Sequence, residues 1–456
     1  MKNIKVFFCI IMMACFAACE DFVEVGLPDS QLTGTAVFND RNTANAALAN
    51  IYAKLRDTGF LSGFAFGSPI ALGLYTDELA YYGGSGVNSE TLYNNALLPT
   101  SSIALQDWNE SYYQIYCANA VLEGVEGSTA LSQEDRDQFK GEAFFIRAIV
   151  HFYLLNVYGD IPYIETTDHT VNRAVSRMPQ AEVYQKIVND LQAALVLLSE
   201  QYIDAERVRP NRATAYALLA RTYLYMGLWA EASDAASAVI NNPAYVWQDN
   251  LDLVFRKEST STIWQLRPVN TGGNTYEAAA FIFLTGPPPS LALNPSLVNS
   301  FAEGDLRASH WIGTVTDGSE TWYYANKYKL NTNTGTSEEY SILFRIEEQY
   351  LIRAEARARQ SELIGAAEDL NKVRNRAGLP DTVALSGDEI VAAVLQERRF
   401  ELFTEYGHRF FDLKRTSRLD TALLEKPGWN TWDRLWPIPE SEMVSNPNLN
   451  PQNPGY

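Results

Sequence analysis

The feature that most constrains the fold is a helix–glycine–helix pattern at residues 219–232. Apolar side chains up to Met226 recur on one face of a helix. Gly227 follows, and a glycine at this position readily adopts the left-handed conformation that ends a helix. Ala232 and Ala236 then recur four residues apart and are small enough to let a second helix pack closely. The pattern predicts a helix hairpin whose spacing matches a tetratricopeptide (TPR) repeat, a unit of about 34 residues.

A second, weaker match to the same pattern starts at Arg353 and Ala354 and continues through Ala366, Leu370 and Val373. TPR units stack side by side and bury a core that neighbouring units share. A generic helical hairpin is the alternative interpretation of either match. The presence of two matches favours stacked TPR-like helix pairs.

Helical periodicity covers much of the chain, and one long irregular segment interrupts it. The predicted helices span residues 42–57, 107–124, 133–157, 179–199, 211–226, 229–241, 345–360, 364–377 and 387–406. Between about 245 and 340, Gly, Pro, Asn and Thr dominate, with strand-like runs such as 262–266 and a Gly-Pro-Pro-Pro loop at 286–289. Long irregular segments in compact proteins are usually functional or disordered, so this insertion is a candidate for the functional part.

The N-terminus has the pattern of a secretory signal. A basic start precedes an apolar run over residues 6–18, which is shorter than the roughly 20 residues that a membrane-spanning helix needs. The run ends in two alanines and Cys19, as in a bacterial lipobox, so residues 1–18 are predicted to be removed and Cys19 to be lipidated. Residues 19–40 then read as an irregular tether. An ordinary signal peptide with an incidental cysteine is the alternative.

Charge and cysteine content exclude several classes of protein. The formal net charge of −19 argues against a nucleic-acid partner, which requires basic patches, and against broad adhesion to anionic lipid head groups. After removal of the signal and lipidation of Cys19, Cys117 would be the one remaining thiol, so no intramolecular disulfide is expected. Stability must therefore come from packing.

Several arginines occur within apolar helical patterns, where a partly buried arginine usually pairs with a carboxylate. They are Arg147, Arg212, Arg353, Arg398 and Arg409. Carboxylates available to them include Glu142, Glu355, Glu401 and Asp412. We expect these arginines to stabilise the fold rather than to form the functional site.

Motifs spread over nearly the whole chain resemble, in the same order, those of the SusD/RagB family of Bacteroidetes outer-membrane nutrient-binding lipoproteins. They are GEAFFIRA at 141–148, RATAYALLAR at 212–221, YLIRAEA at 350–356, ERRFEL at 397–402, GHRFFDL at 407–413, WPIP at 436–439 and NPQNPGY at 450–456. Glu20 and Asp21, directly after the lipobox cysteine, resemble the surface-export signal of such lipoproteins.

The resemblance implies an all-α-dominated SusD-like fold, with four TPR-like helix pairs and a loop-rich irregular half with short strands that carries the ligand site. A single domain would cover residues 41–456, with the helical frame at about 107–243 and 345–406, the insertion at 245–340 and an irregular tail at 415–456. It also implies a SusC-like TonB-dependent outer-membrane transporter as partner, over which the protein acts as a lid. The expected ligand is an oligosaccharide, although some members of the family handle peptides, and no cofactor or metal is expected.

A sugar site requires exposed aromatic rings for the C–H faces of the ligand and polar groups for its hydroxyls. Two polar stretches that contain aromatic residues, 77–95 and 311–329, meet this description. The resemblance to the SusD/RagB family implies that loops in these two regions form the ligand site. The candidate ligand-binding residues are Tyr81, Tyr82, Asn88, Tyr93, Trp311, Trp322, Tyr323 and Tyr324. Trp429 and Trp432 form a third, weaker candidate, and Trp108 is expected in the core. Alternatively, these aromatic residues pack against the helical frame or line a partner interface.

The sequence shows no pattern of an enzyme. The adjacent acidic pairs Asp77-Glu78 and Glu347-Glu348 are common in an acidic protein, and the four histidines lack metal-ligand spacing. We therefore expect a binding protein at the extracellular face of the outer membrane. A TPR scaffold that binds a peptide or protein is the main alternative, and a surface glycoside hydrolase is a further one.

Overall fold

A computed structural model describes residues 34–63 and 66–456. The predicted signal peptide, Cys19 and the first part of the tether lie outside these residues. Helix α1 starts at Gly34, within the segment predicted as the tether. The ring of Phe38 then packs directly on Gly124, where an added Cβ would lie 2.0 Å from it.

Helices dominate the architecture. In chain order the α-helices are α1 Gly34–Val37, α2 Arg41–Asp57, α3 Ser68–Tyr75, α4 Asn88–Tyr93, α5 Ser102–Glu126, α6 Gln133–Tyr158, α7 His169–Asn172, α8 Gln180–Leu197, α9 Arg212–Met226, α10 Trp229–Ile240, α11 Tyr276–Phe281, α12 Pro295–Val298, α13 Leu306–Trp311, α14 Ile346–Arg359, α15 Leu363–Arg376, α16 Gly387–Glu401, α17 His408–Arg415, α18 Leu419–Ala422 and α19 Glu440–Ser445. Short 3₁₀ turns lie at Leu251–Leu253, Thr431–Arg434 and Pro447–Leu449. All nine predicted helices are present, and the structure adds short ones in the segments predicted as loops.

The helix–glycine–helix pattern forms the predicted hairpin. Gly227 ends α9 in the left-handed conformation, with a φ of 73°, and α10 starts two residues later. Ala232 and Ala236 are fully buried against α9 and α14. Packing then continues through successive helices, from α5 to α6, α8, α9, α10, α14, α15 and α16. The fold class is confirmed as mostly helical, and the number of TPR-like pairs stays a prediction.

The irregular insertion contains most of the strands. They are β1 Leu79–Tyr81, β2 Thr262–Leu266, β3 Leu291–Leu293, β4 Ile312–Thr316, β5 Thr321–Ala325 and β6 Ser341–Arg345. Among the described residues they form three antiparallel pairs, β1 with β3, β2 with β6 and β4 with β5. The β2–β6 pair is buried throughout and packs on the helical frame.

Buried ion pairs connect the helices, as the arginine pattern predicts. The Arg353 guanidinium donates to both carboxylate oxygens of Asp369, at 2.8 and 2.7 Å. Arg398 Nε lies 2.7 Å from Asp412 Oδ2 and joins α16 to α17. Because each charge has a hydrogen-bonded partner, the cost of burying it is offset. Arg212 differs, since its contact with Glu200 is exposed to solvent.

Candidate functional site

The two aromatic-containing stretches meet through strand β3. Leu79 and Tyr81 of β1 stand opposite Leu293 and Leu291 of β3, and β3 also contacts β5. The Tyr82 N–H extends the pairing by donating to Ser290 O at 2.7 Å. These three neighbouring strands, which we call the β1–β3–β5 ledge, therefore bring residues 79–93 beside the 312–325 hairpin. Sequence reasoning predicted both stretches but had no signal for the strand that joins them.

A cluster of three tyrosines stands at the edge of this ledge. The rings of Tyr81 and Tyr93 lie 6.3 Å apart between centroids, and the Tyr81 hydroxyl donates to Gly84 O at 2.6 Å. The Tyr82 side chain is the exposed member, with a relative accessibility of 39%. Burial raises the pKa of the Tyr82 hydroxyl, with smaller contributions from nearby Tyr93 and Glu320. We call Tyr81, Tyr82 and Tyr93 the tyrosine cluster.

The loop that follows Tyr82 is open to solvent up to Val87. From Asn88 onward the chain forms helix α4, where a loop is predicted. Residues 84–87 are exposed, and Gly86 has a φ of 80°, which favours glycine. The Glu90 carboxylate accepts a hydrogen bond from the Gly86 N–H at 2.6 Å, and so fixes the loop to α4. Asn88 begins α4, and its Oδ1 accepts from the Ser102 hydroxyl at 3.1 Å.

Lys426, from the distant C-terminal segment, completes the cluster. Its Nζ lies 3.8 Å from the ring centroid of Tyr93 and has no hydrogen-bond partner among the residues that the structure describes. Burial lowers the pKa of this ammonium group to about 7, although the negative charge of Asp77 opposes the shift. No local sequence pattern marked Lys426, because a contact across more than three hundred residues leaves no periodic signal.

The third candidate stretch lies next to the tyrosine cluster. Gly428 approaches the backbone so closely that an added Cβ would lie 1.8 Å from Asn94 O. Trp429 is half-buried and its Nε1 donates to Asp420 Oδ1 at 3.1 Å. Trp432 is the more exposed of the two tryptophans, and one side of its ring packs on Gly455.

The expectation that the second stretch presents free ring faces does not hold for its two tryptophans. Trp311 has 0% accessibility and donates from Nε1 to Leu251 O at 3.0 Å. Trp322 has 5% accessibility, and its ring covers Gly286 in the proline-rich loop. Both tryptophans are therefore core residues, since neighbouring segments fill the space that a sugar ring would need.

The two tyrosines of β5 point to opposite faces of the strand and are half-buried. Tyr324 lies across Gly313 of the partner strand and contacts Phe283, with ring centroids 5.3 Å apart. Tyr323 packs against the main core. Both tyrosines keep part of their surface accessible, and their role in ligand binding stays a prediction.

The adjacent acidic pairs do not face one another across an open cleft. Asp77 binds Arg399 and Arg409, and buried Glu78 accepts from the Thr404 N–H at 3.2 Å. Burial, followed by the charge of Asp77, raises the pKa of Glu78 to about 7. The second pair is buried as well, and it binds arginines of the helical frame; these contacts join Glu347 to Arg376 and Glu348 to Arg221.

Two further properties concern metals and membranes. Within residues 34–63 and 66–456, no three His, Cys, Asp or Glu side chains come together as a metal site would require. Over the same part of the chain, every helix is too short or too polar to span a bilayer.

Two family models match this chain. Residues 83–224 match the SusD-like_3 model, described as starch-binding and associating with the outer membrane. Residues 299–456 match the SusD_RagB model, described as the SusD family. SusD-like protein P2 of Formosa agariphila is 27% identical over 100% of both chains.

Solved structures show the same fold. A SusD superfamily protein from Bacteroides vulgatus superposes with a TM-score of 0.81 at 21% identity, covering 91% of this chain and 99% of that one. A laminarin-binding SusD-like protein superposes with a TM-score of 0.77 at 25% identity, over the same shares of the two chains.

Proposed function

Because the chain belongs to the SusD/RagB family, we propose that it binds carbohydrate. The proposed binding site is the tyrosine cluster at the edge of the β1–β3–β5 ledge. The observation that supports this site most directly is the exposed Tyr82 ring, which precedes an open Gly-Ser-Gly loop. The buried Lys426 amine lies over the ring of Tyr93 in the same cluster. The structural relative that binds laminarin supports the same class of ligand.

The chemistry of the cluster suits a sugar. The Tyr82 ring offers an apolar face for the C–H face of a pyranose ring. Around it, the Asn88 amide can donate and the Glu90 carboxylate can accept hydrogen bonds, and the loop of residues 84–87 is exposed to solvent. A single exposed ring favours weak, tolerant capture, in the mM to μM range, or about −4 to −8 kcal/mol.

We further propose that the protein acts at the extracellular face of the outer membrane as the binding subunit of a TonB-dependent importer. Lipid on Cys19 would anchor it, and a SusC-like transporter would be the partner over which it moves as a lid. The description of the family model that matches residues 83–224 names association with the outer membrane and supports this location. The ligand would be an oligosaccharide released from a larger glycan.

One experiment on the mature chain carrying Cys19→Ser distinguishes carbohydrate binding from the two alternative functions. Electrophoresis through gels that contain laminarin, starch or xylan should show retardation by at least one polysaccharide, and chromatography of the mixture should show no released sugar. Release of oligosaccharides would identify a glycoside hydrolase instead. Unchanged mobility in every gel, together with binding of a peptide library, would support the TPR scaffold and reject the glycan proposal.

A further inference from the structure

A second cleft, remote in sequence from the tyrosine cluster, lies between helices α5, α7 and α19. Its volume is about 310 Å³, at the lower end of the roughly 300–1,000 Å³ typical of small-molecule sites. The cleft shares no residue with the tyrosine cluster. One part of its lining is aromatic, and the remainder mixes polar and apolar side chains.

The aromatic wall is a row on a single helix. Trp108, Tyr112 and Tyr116 follow one another at intervals of four residues along α5 and line the cleft, so successive side chains are about 6 Å apart along the helix axis. The Trp108 and Tyr112 rings are in contact, with centroids 4.8 Å apart. Tyr116 is the most open of the three, with an accessibility of 48%. The prediction that Trp108 is buried is correct, but one edge of its ring reaches this cleft.

Two charged side chains of the lining have no hydrogen-bond or ion-pair partner within residues 34–63 and 66–456. Among the described residues, the Arg173 guanidinium at the end of α7 makes no hydrogen bond or ion pair. The Glu442 carboxylate of α19 is half-buried and likewise has no side-chain partner in the described ranges. Burial raises the pKa of Glu442, and no hydrogen bond opposes the shift. A cation and an anion therefore line one cleft without neutralising each other.

The walls are held in place before any ligand arrives. The Tyr112 hydroxyl donates to Pro162 O at 2.9 Å, which fixes the centre of the aromatic row. Asn446 Nδ2 donates to Val175 O at 2.8 Å and joins the α19 side to the segment after α7. Asn172 Nδ2 donates to Thr166 O at 2.8 Å. Such a preformed cleft requires little ordering when a ligand binds.

We infer that this cleft is a second carbohydrate site, which binds about one or two neutral sugar rings. A sugar ring places its apolar face on the aromatic row, while its hydroxyls accept from Arg173 and donate to Glu442 at the same time. An anionic ligand would be repelled by Glu442, and an apolar ligand would desolvate both charges without pairing them. The inference rests on the proposed function for the ligand class alone, and its location is independent of the tyrosine cluster.

Saturation-transfer NMR on the full mature chain, with laminaribiose, cellobiose and maltose as probes, tests this inference at about 10 mM sugar, which suits mM dissociation constants. At least one disaccharide should still bind the Tyr82→Ala variant. In that background, Tyr116→Ala and Arg173→Met should each weaken the remaining binding by about fivefold or more. Tyr113→Ala is the matched control, because Tyr113 is equally exposed on α5 but does not line the cleft.

Two results would overturn the second site. One is that Tyr82→Ala loses all disaccharide binding, and the other is that Tyr116→Ala and Arg173→Met leave the remaining binding unchanged. If a polysaccharide retards the protein in the gel but no disaccharide binds in the cleft, this inference is rejected and the proposed function is retained. Binding that Tyr116→Ala removes and Tyr82→Ala does not change would instead reject the tyrosine cluster and retain the cleft. Thermal unfolding of each variant checks that it is folded.

Discussion

The Arg409 guanidinium donates to both carboxylate oxygens of Asp77, Nε to Oδ1 and Nη2 to Oδ2, each at 2.8 Å. This bidentate pair joins helix α17 to the residue two before strand β1, the strand that carries Tyr81. Arg399 adds a third hydrogen bond to the same carboxylate, at 3.0 Å. The site is thus positioned by residues that lie more than three hundred positions away in the chain.

Replacing Arg409 with methionine should destabilise the protein by about 1–3 kcal/mol, because it leaves the largely buried Asp77 carboxylate with Arg399 alone. Urea unfolding of both proteins measures the change. Arg434→Met is the matched control, since its ion pair with Asp420 is roughly half-exposed, and it should change the free energy of unfolding by less than about 1 kcal/mol. Equal effects of the two substitutions would contradict the supporting role of Arg409.

Asp107→Asn should stabilise the protein increasingly as the pH rises from 5 to 8. Burial raises the pKa of Asp107 from 3.8 to about 8, although the Tyr158 and Ser111 hydroxyls donate to it. The folded chain therefore holds a proton that the unfolded chain has already released, so ionisation favours unfolding across this window. The amide of asparagine cannot ionise and avoids this loss. Unfolding at pH 5 and pH 8 gives the two differences, and a difference that does not grow would refute the buried neutral carboxyl.

Lys426→Met should give the opposite trend. Burial lowers the pKa of Lys426 from 10.5 to about 7, so the unfolded chain keeps a proton that the folded chain has released between these values. Stability of the natural protein then rises with pH through this window. The advantage of the methionine variant should be largest at pH 6 and should shrink by pH 9. A constant advantage would show that the Lys426 amine is solvated in the folded protein.

Trp322→Ala should lower the free energy of unfolding by about 3–5 kcal/mol, because the ring fills the space between Gly286 and Phe283. Trp432→Ala provides a control with the same change of side chain at a site with 44% accessibility, where the cost should be less than half as large. Urea unfolding compares the two variants. Nearly equal costs would mean that Trp322 is as accessible as the sequence interpretation expected.

Local sequence patterns predict the helical frame, because helix periodicity and helix ends depend on residues that are close together in the sequence. Gly227 ends a helix through its own conformation, and the buried face of α10 follows helical spacing. Helix α9 differs from the prediction of one apolar face, because it is buried on nearly all sides. The exposed Tyr82 was also predictable, since a ring beside several glycines has few neighbours in sequence that could cover it.

The remainder of the site depends on long-range contacts. Trp311 and Trp322 occur in polar sequence, yet segments that are distant along the chain cover their rings. Strand β3 pairs with Tyr81 and Lys426 contacts Tyr93, and neither carries a sequence motif. Burial of a tryptophan depends on the segments that pack over its ring. The composition of the loop that contains the tryptophan does not show which segments these are.

Calorimetric titration of the mature protein with the glycan that retards it, compared with Tyr82→Ala, tests the central proposal most directly. We expect a measurable heat with the natural protein and a Kd that rises at least about fivefold on loss of the ring. Tyr113→Ala, a second exposed tyrosine that lies outside the tyrosine cluster, should bind as the natural protein does. The same Kd for Tyr82→Ala and the natural protein would contradict carbohydrate capture at the tyrosine cluster.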